Sequence, residues 1–512
     1  MRPTFRVLGG MATATALVLG MTTAADAAPE TAFTPAAVDW KPCPELAEVE
    51  CGTLRLPVDW AKPKGEKFDL ALARRKATDP ARRIGILVIN PGGPGGSGVD
   101  FALGAPGLFS PEIQARFDIV GFDPRGVARS NPVKCSVEVL QRQVSVFPTS
   151  RQEFEALGRY NRERAADCRK HTGPIYDHAD TGAVVDDIDA IRRSLGERKI
   201  NYYGVSYGTL MGQQYAERYG RNLRAMVIDS NMDHSIGAWR FNEQQAATTE
   251  DSFREFAKWC ERDRNCALHG RDVSKFWRDL LAKADRGEIP DPFDPERKLT
   301  SETLISNAFS AFYGPSWEAL AEWLVALAEP GATVASAYAE PETVEFPFPA
   351  VFCQDYNFRV KTYAEFSALV ARAKQVAPNM RGSMLGHYAV ADCVGLTDRA
   401  NNPQHRLRVE NAPKILMLNA EHDPATGYDW AKAVHEQTRG TTVLLTYGGW
   451  GHGVYWRSDC TRGTTDDYLL SAKAPARDLR CAAVQPSPTV ARKAASVTLP
   501  TGPAPTVPGW RR

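Results

Sequence analysis

The 512-residue sequence has almost no net charge: 62 Lys and Arg stand against 61 Asp and Glu, a formal balance of +1. A chain with no excess of either sign projects no long-range field toward a polyanion, which argues against nucleic acid or an anionic membrane as partner. Past the N-terminal segment there is no apolar run near the ~20 residues that a membrane-spanning helix needs. No Cys-x-x-Cys occurs, and no cluster combines Cys with His at zinc-finger spacing, so no metal is expected. No Gly-Lys-Ser or Gly-Lys-Thr follows the glycine-rich stretches, which excludes the phosphate-cradling loop of nucleotide hydrolases. Internal repeats are also absent.

What remains is the composition of a soluble globular protein, 43% hydrophobic and 24% charged. The length allows about three domains, or one domain carrying a large insertion. Arg2 and Arg6 precede an apolar run from Val7 to Met21, and Ala25-Asp26-Ala27 follows. That order predicts an export signal over 1–27, a short leader over 28–37, and a secreted, extracellular protein without a membrane anchor. All ten cysteines lie beyond it, at Cys43, Cys51, Cys135, Cys168, Cys260, Cys266, Cys353, Cys393, Cys460 and Cys481. An even number in an exported chain points to disulfides, and pairing of neighbours in chain order is the simplest arrangement.

Along the chain, Gly52 to Val58 and Phe68 to Arg74 alternate apolar with polar residues and predict an opening antiparallel hairpin. Ile84 to Ile89, Phe117 to Phe122, Ile200 to Tyr203 and Ala225 to Ile228 are short, nearly continuous apolar runs, the pattern of strands buried on both faces. Between Phe117 to Phe122 and Ile200 to Tyr203, a helix capped by Thr181 carries Val184, Ile188, Ile191 and Leu195 on one face. Lys414 to Leu418 and Thr442 to Leu445 add two strands, with a helix from about Gly427 to Gln437 between them. Such alternation predicts an α/β fold: a mostly parallel sheet with helices on both faces. The core is expected over 38–233 and again over 406–481. The stretch 234–405, rich in Trp and Phe and mainly helical in pattern, reads as an inserted cap, and 482–512 as a Pro-rich tail.

The chemistry rests on three stretches. Gly204-Val205-Ser206-Tyr207-Gly208 lies between a predicted strand and a predicted helix, the setting in which a tight turn lifts a serine hydroxyl clear of a sheet. A hydroxyl needs a base within hydrogen-bond reach to become a nucleophile. Of nine histidines, His452 alone follows the last predicted strand, in the glycine-rich Tyr447-Gly448-Gly449-Trp450-Gly451-His452-Gly453. An acid is expected after the preceding strand, in Ala420-Glu421-His422-Asp423-Pro424-Ala425-Thr426. Asp423 is preferred over Glu421 because Asp-Pro makes a turn that aims it across the sheet edge, while Thr426 is placed to cap the next helix. Ser206, Asp423 and His452 are thus the candidate catalytic set. The amide of Tyr207 and the loop at Gly92 and Gly93 are the candidate oxyanion donors, each worth roughly 3 to 4 kcal/mol. Arg125, in Asp123-Pro124-Arg125-Gly126, is expected to make a structural ion pair and no catalytic contact. No cofactor is required by this set.

These segments, together with Asn90-Pro91-Gly92-Gly93-Pro94-Gly95-Gly96-Ser97-Gly98 and Trp450-Gly451-His452, resemble those of the exported actinobacterial tripeptidyl aminopeptidases. That family is related to the prolyl iminopeptidases within the α/β-hydrolases, and the likeness runs from about Cys43 to Cys481. Pro91 stands where prolyl iminopeptidases usually carry a His, which leans the match toward the tripeptidyl group. The resemblance implies a cap closing over the site, peptide substrates with a free amino terminus, and release of tripeptides. Such an enzyme must pair a substrate ammonium with an acceptor. The cap segment containing Glu342, Glu345 and Asp355, set among Phe346, Phe348, Phe352 and Tyr356, is the candidate for it. A monomer is expected. A carboxylesterase or lipase with the same triad, a prolyl iminopeptidase-like specificity and a non-catalytic binding protein are the competing readings.

Overall fold

The computed structural model describes residues 33–291, 294–328 and 342–486. The export signal, the first half of the leader and most of the tail lie outside them. Ten strands form the central sheet: β1 (Lys41–Pro42), β2 (Glu50–Pro57), β3 (Lys67–Arg75), β4 (Gly85–Asn90), β5 (Phe117–Phe122), β6 (Ile200–Val205), β7 (Leu223–Asp229), β8 (Ile415–His422), β9 (Thr442–Trp450) and β10 (Leu479–Cys481). Their spatial order is β1-β2-β3-β5-β4-β6-β7-β8-β9-β10. The first three strands and the β3/β5 pair are antiparallel, and every pair from β5 onward is parallel.

The physical basis of this split is visible in burial. All residues of β4, β5 and β6 are buried, as strands covered on both faces must be, whereas β2 at the antiparallel margin keeps an exposed face. One apolar layer, containing Val88, Val120, Tyr202, Met226 and Ile228, lies under the helices Thr181–Ser194 and Tyr207–Tyr219. The opposite layer, with Leu87, Ile89, Tyr203, Val227, Leu418 and Tyr447, lies under Gly98–Leu103 and Asp459–Ser471.

Two helix starts differ from expectation. Asp180, not Thr181, caps the helix Thr181–Ser194 by accepting the Ala183 amide, and this frees the Thr181 hydroxyl for a tertiary bond described below. Gly427, not Thr426, precedes Tyr428–Gln437, because the Thr426 hydroxyl is turned back onto Asp423.

Between β7 and β8 the chain runs through seven helices among the described residues, from Ala238–Arg262 to Met384–Ala391. This excursion is not a detached module. Phe253, Trp277 and Trp317 share a core with Ala425 and Trp450, the neighbours of the candidate acid and base. Its strand Thr343–Glu345 pairs with Lys134–Ser136 of the preceding core segment. The five disulfides join neighbours in chain order: Cys43–Cys51, Cys135–Cys168, Cys260–Cys266, Cys353–Cys393 and Cys460–Cys481. No described helix is long and apolar enough to cross a membrane.

Candidate active site

Ser206 occupies the turn between β6 and the helix Tyr207–Tyr219, at φ 57° and ψ −125°. A non-glycine residue in that region is strained, and here the strain is held by its surroundings. The Ser206 amide donates to the Asp229 carbonyl at 3.0 Å, and the Ser206 carbonyl accepts the Thr209 hydroxyl at 2.6 Å. A Cβ at Gly204 would stand 2.4 Å from the Gly208 carbonyl oxygen, which is why the turn closes only around a glycine. Thr209 then ties to the far side of β7, where its hydroxyl accepts the Met232 amide.

Asp423 and His452 meet across the ends of β8 and β9. His452 Nδ1 lies 3.0 Å from both Asp423 carboxylate oxygens, and both side chains are fully buried. Asp423 Oδ1 also accepts the Ala425 and Thr426 amides at 2.9 Å, and Oδ2 accepts the Thr426 hydroxyl at 3.0 Å. A carboxylate fed by two amides and a hydroxyl is fixed in direction, and it fixes the imidazole with Nδ1 as donor. His452 Nε2 is buried and has no hydrogen-bond partner among the described residues. Glu421, the rival acid, is directed away and is paired with Arg480.

Asp229, the last residue of β7, joins the serine and histidine loops, a role the sequence did not announce. Its carbonyl takes the Ser206 amide, and its carboxylate takes the Val454 and Tyr455 amides and the Tyr203 hydroxyl at 2.8 to 3.0 Å. Ser230 next to it accepts the Gly453 amide at 2.8 Å. Burial pushes the Asp229 carboxyl up to about 6, against the pull of these donors.

The glycine loop after β4 abuts the same turn. A Cβ on Gly92 would lie 2.5 Å from the Val205 oxygen and 2.6 Å from the Tyr207 nitrogen. The Gly92 amide, however, is used internally, donating to Asn90 Oδ1 at 2.8 Å. This corrects the expectation for Gly92: it provides the close approach, and of the two glycines only Gly93 keeps its amide clear of protein acceptors among the described residues. The Tyr207 amide is at the first position of its helix, where an N–H has no intrahelical acceptor.

The three acids considered for an ammonium separate. Asp355 is fully buried and its oxygens accept the Thr181 amide and hydroxyl, the Tyr207 hydroxyl and the Asn402 amide nitrogen at 2.6 to 2.8 Å. With every acceptor direction taken inside the protein, Asp355 offers nothing to a ligand, and the expectation for it is corrected: it braces the serine turn through Tyr207. Glu342 is exposed, and its carbonyl accepts the Val137 amide. Glu345 is also exposed, two residues before Pro347, which packs on Gly95 of the glycine loop.

Arg125 forms a fully buried two-pronged pair with Asp187, both bonds 2.7 Å, and touches nothing in the site, as the sequence indicated. Asp251, Glu255 and His422 are the one group of described residues that converge as cation ligands do. Their atoms are already committed: His422 to Asp251 at 2.7 Å, and Glu255 to Lys258 and the Trp450 indole.

This arrangement agrees with what the chain is similar to. A protein-family model described as "alpha/beta hydrolase fold" matches residues 85–459. Serine protease Hip1 of Mycobacterium tuberculosis is 31% identical over 481 residues, covering 87% of this chain and 91% of that protein. Tripeptidyl aminopeptidase of Streptomyces lividans is 29% identical over 472 residues, covering 87% of each. Carboxylesterase B of Mycobacterium tuberculosis is 30% identical over 469 residues, covering 86% of this chain and 87% of its own length. Five disulfides fit an oxidising, extracytoplasmic compartment. With a strained serine turn, a buried histidine–carboxylate pair and relatives that span most of its length, the chain belongs to the α/β-hydrolase family and is a serine hydrolase.

Proposed function

We propose that the protein is a secreted exopeptidase that releases tripeptides from the free amino terminus of peptides through an acyl-enzyme. The observation that carries the chemistry is the buried Asp423–His452 pair, which presents an unpartnered Nε2 beside the loop system that also holds Ser206. Ser206 Oγ attacks the scissile carbonyl carbon and His452 Nε2 takes its proton, while Asp423 stabilises the imidazolium. The tetrahedral oxyanion is received by the Tyr207 and Gly93 amides. His452 returns the proton to the leaving amine, the C–N bond breaks, and water activated by the same imidazole hydrolyses the ester to Ser206. The peptidase reading is supported by the resemblance to the tripeptidyl aminopeptidases and by the span of the match to the Streptomyces relative. Glu345, beside the glycine loop, is the acid best situated to meet a substrate ammonium.

A second reading, an esterase with the same triad, has a specific support in the similarity to a carboxylesterase. Three substrates separate them: a free tripeptide anilide, its N-acetylated form and a nitrophenyl ester. The exopeptidase is expected to cleave the first and to lose most of its rate on acetylation. Indifference to acetylation, or preference for the ester, would overturn it. The Ser206→Ala variant is expected to lose on the order of a millionfold in kcat and all labelling by a fluorophosphonate.

A further inference from the structure

The His452 loop carries a grip that the triad does not explain. Arg457 is 5% exposed and makes no ion pair with any described residue. Its Nε donates to the Gly453 carbonyl at 2.8 Å, and one terminal nitrogen donates to the carbonyls of His452 at 2.7 Å and Tyr313 at 2.6 Å. Tyr313 belongs to the cap, as the last residue of the helix Ser301–Tyr313. The same Tyr313 carbonyl accepts the His452 amide at 2.9 Å, and the Tyr313 ring meets the imidazole at 4.9 Å between centroids and 61° between planes. One cap carbonyl therefore holds both the backbone of the candidate base and the guanidinium that holds the next carbonyl.

Burying a guanidinium without a carboxylate in contact costs several kcal/mol, so its retention calls for a compensating role. The backbone that it grips supplies one: the carbonyls of the base, of the residue after it and of the cap meet at one guanidinium. The imidazole itself touches Asp423 on one side and the Tyr313 ring on the other.

We propose that Arg457 is a positioning residue: it fastens the His452 loop to the cap at the Tyr313 carbonyl, so that a seated cap and a working base go together. The proposal rests on the reading of His452 as the base, and the test keeps the two apart.

The rate of fluorophosphonate labelling is measured for the full-length wild type, Arg457→Met and Arg457→Lys, with thermal melts alongside. Arg457→Met is expected to label between about tenfold and a hundredfold more slowly. On the peptide anilide its kcat falls while KM holds. Arg457→Lys keeps the cation but not the planar set of donors, so it recovers only part of the rate. Two folded variants that label at the wild-type rate overturn the proposal, even if both melt lower. Should Arg457→Met fail to fold, Arg457→Lys decides alone, and a wild-type rate in it overturns the proposal. If instead the wild type does not label, or Ser206→Ala does, the triad reading falls and not merely the role of Arg457.

Discussion

Asp423 shows how much one side chain is asked to do. It accepts from His452 Nδ1 and simultaneously from two amides and the Thr426 hydroxyl, so an amide in its place would present a donor to donors. Asp423→Asn is expected to lower kcat by about ten-thousandfold by allowing the wrong imidazole tautomer. Burst titration on the anilide with circular dichroism checks it, and a folded variant with more than a tenth of wild-type kcat would exclude Asp423 as the partner of His452. Ser206, Asp423 and His452 were legible in the sequence because each follows a strand with a turn signature of its own. Asp229 and Arg457 were not, because a carboxylate closing a strand and an arginine in a loop look like any other among 61 acids and 62 bases. Asp355 misled for a related reason: acids beside aromatics suggest a binding cleft, and only the fold reveals that Thr181, Tyr207 and Asn402 already surround it.

At the scale of elements, the strands were legible from apolar runs, and the observed ones extend the expected cores toward the site. β8 reaches His422 and β9 reaches Trp450, where backbone pairing continues into polar and glycine residues that carry no hydrophobic signal. The order of disulfides was legible as well. The partnership between cap and core was not, since the Trp450 indole with Glu255, or Tyr313 with His452, joins residues far apart in the chain with no local pattern. The glycine loop offers a test of element packing. Gly92 has φ +82° and faces the Val205 oxygen and the Tyr207 nitrogen, so Gly92→Ala must push the loop away from the serine turn. A folded protein with kcat reduced by about a hundredfold to a thousandfold is expected, the cost of misaligning one oxyanion donor. Retention of wild-type kcat would show that the loop does not set the oxyanion site.

Over the whole molecule, buried titratable groups of opposite kinds set how stability answers to pH. Burial pushes the Asp355 carboxyl up to about 7 from an ordinary value of 3.8, with the Asp180 charge adding to it. His387, enclosed and stacked on Phe147 at 4.0 Å, is pushed down to about 4 from 6.5, chiefly by burial, while Nε2 donates to the Val146 carbonyl. For Asp355 the folded protein holds its proton where the unfolded chain has lost it. Its contribution is complete below 3.8 and is lost as pH rises through about 7. For His387 the unfolded chain takes up the proton first, so its contribution is complete above 6.5 and is lost as pH falls through about 4. The stability difference between wild type and Asp355→Asn should therefore shrink from about pH 5 to about pH 6.5, by at most about 1.4 kcal/mol per unit. The difference between wild type and His387→Gln should grow over the same interval. Urea unfolding of the three proteins across that range reads both slopes against one reference, so every other titrating group cancels. Slopes of the same sign would mean that one of the two side chains is not shut away from water as the fold requires.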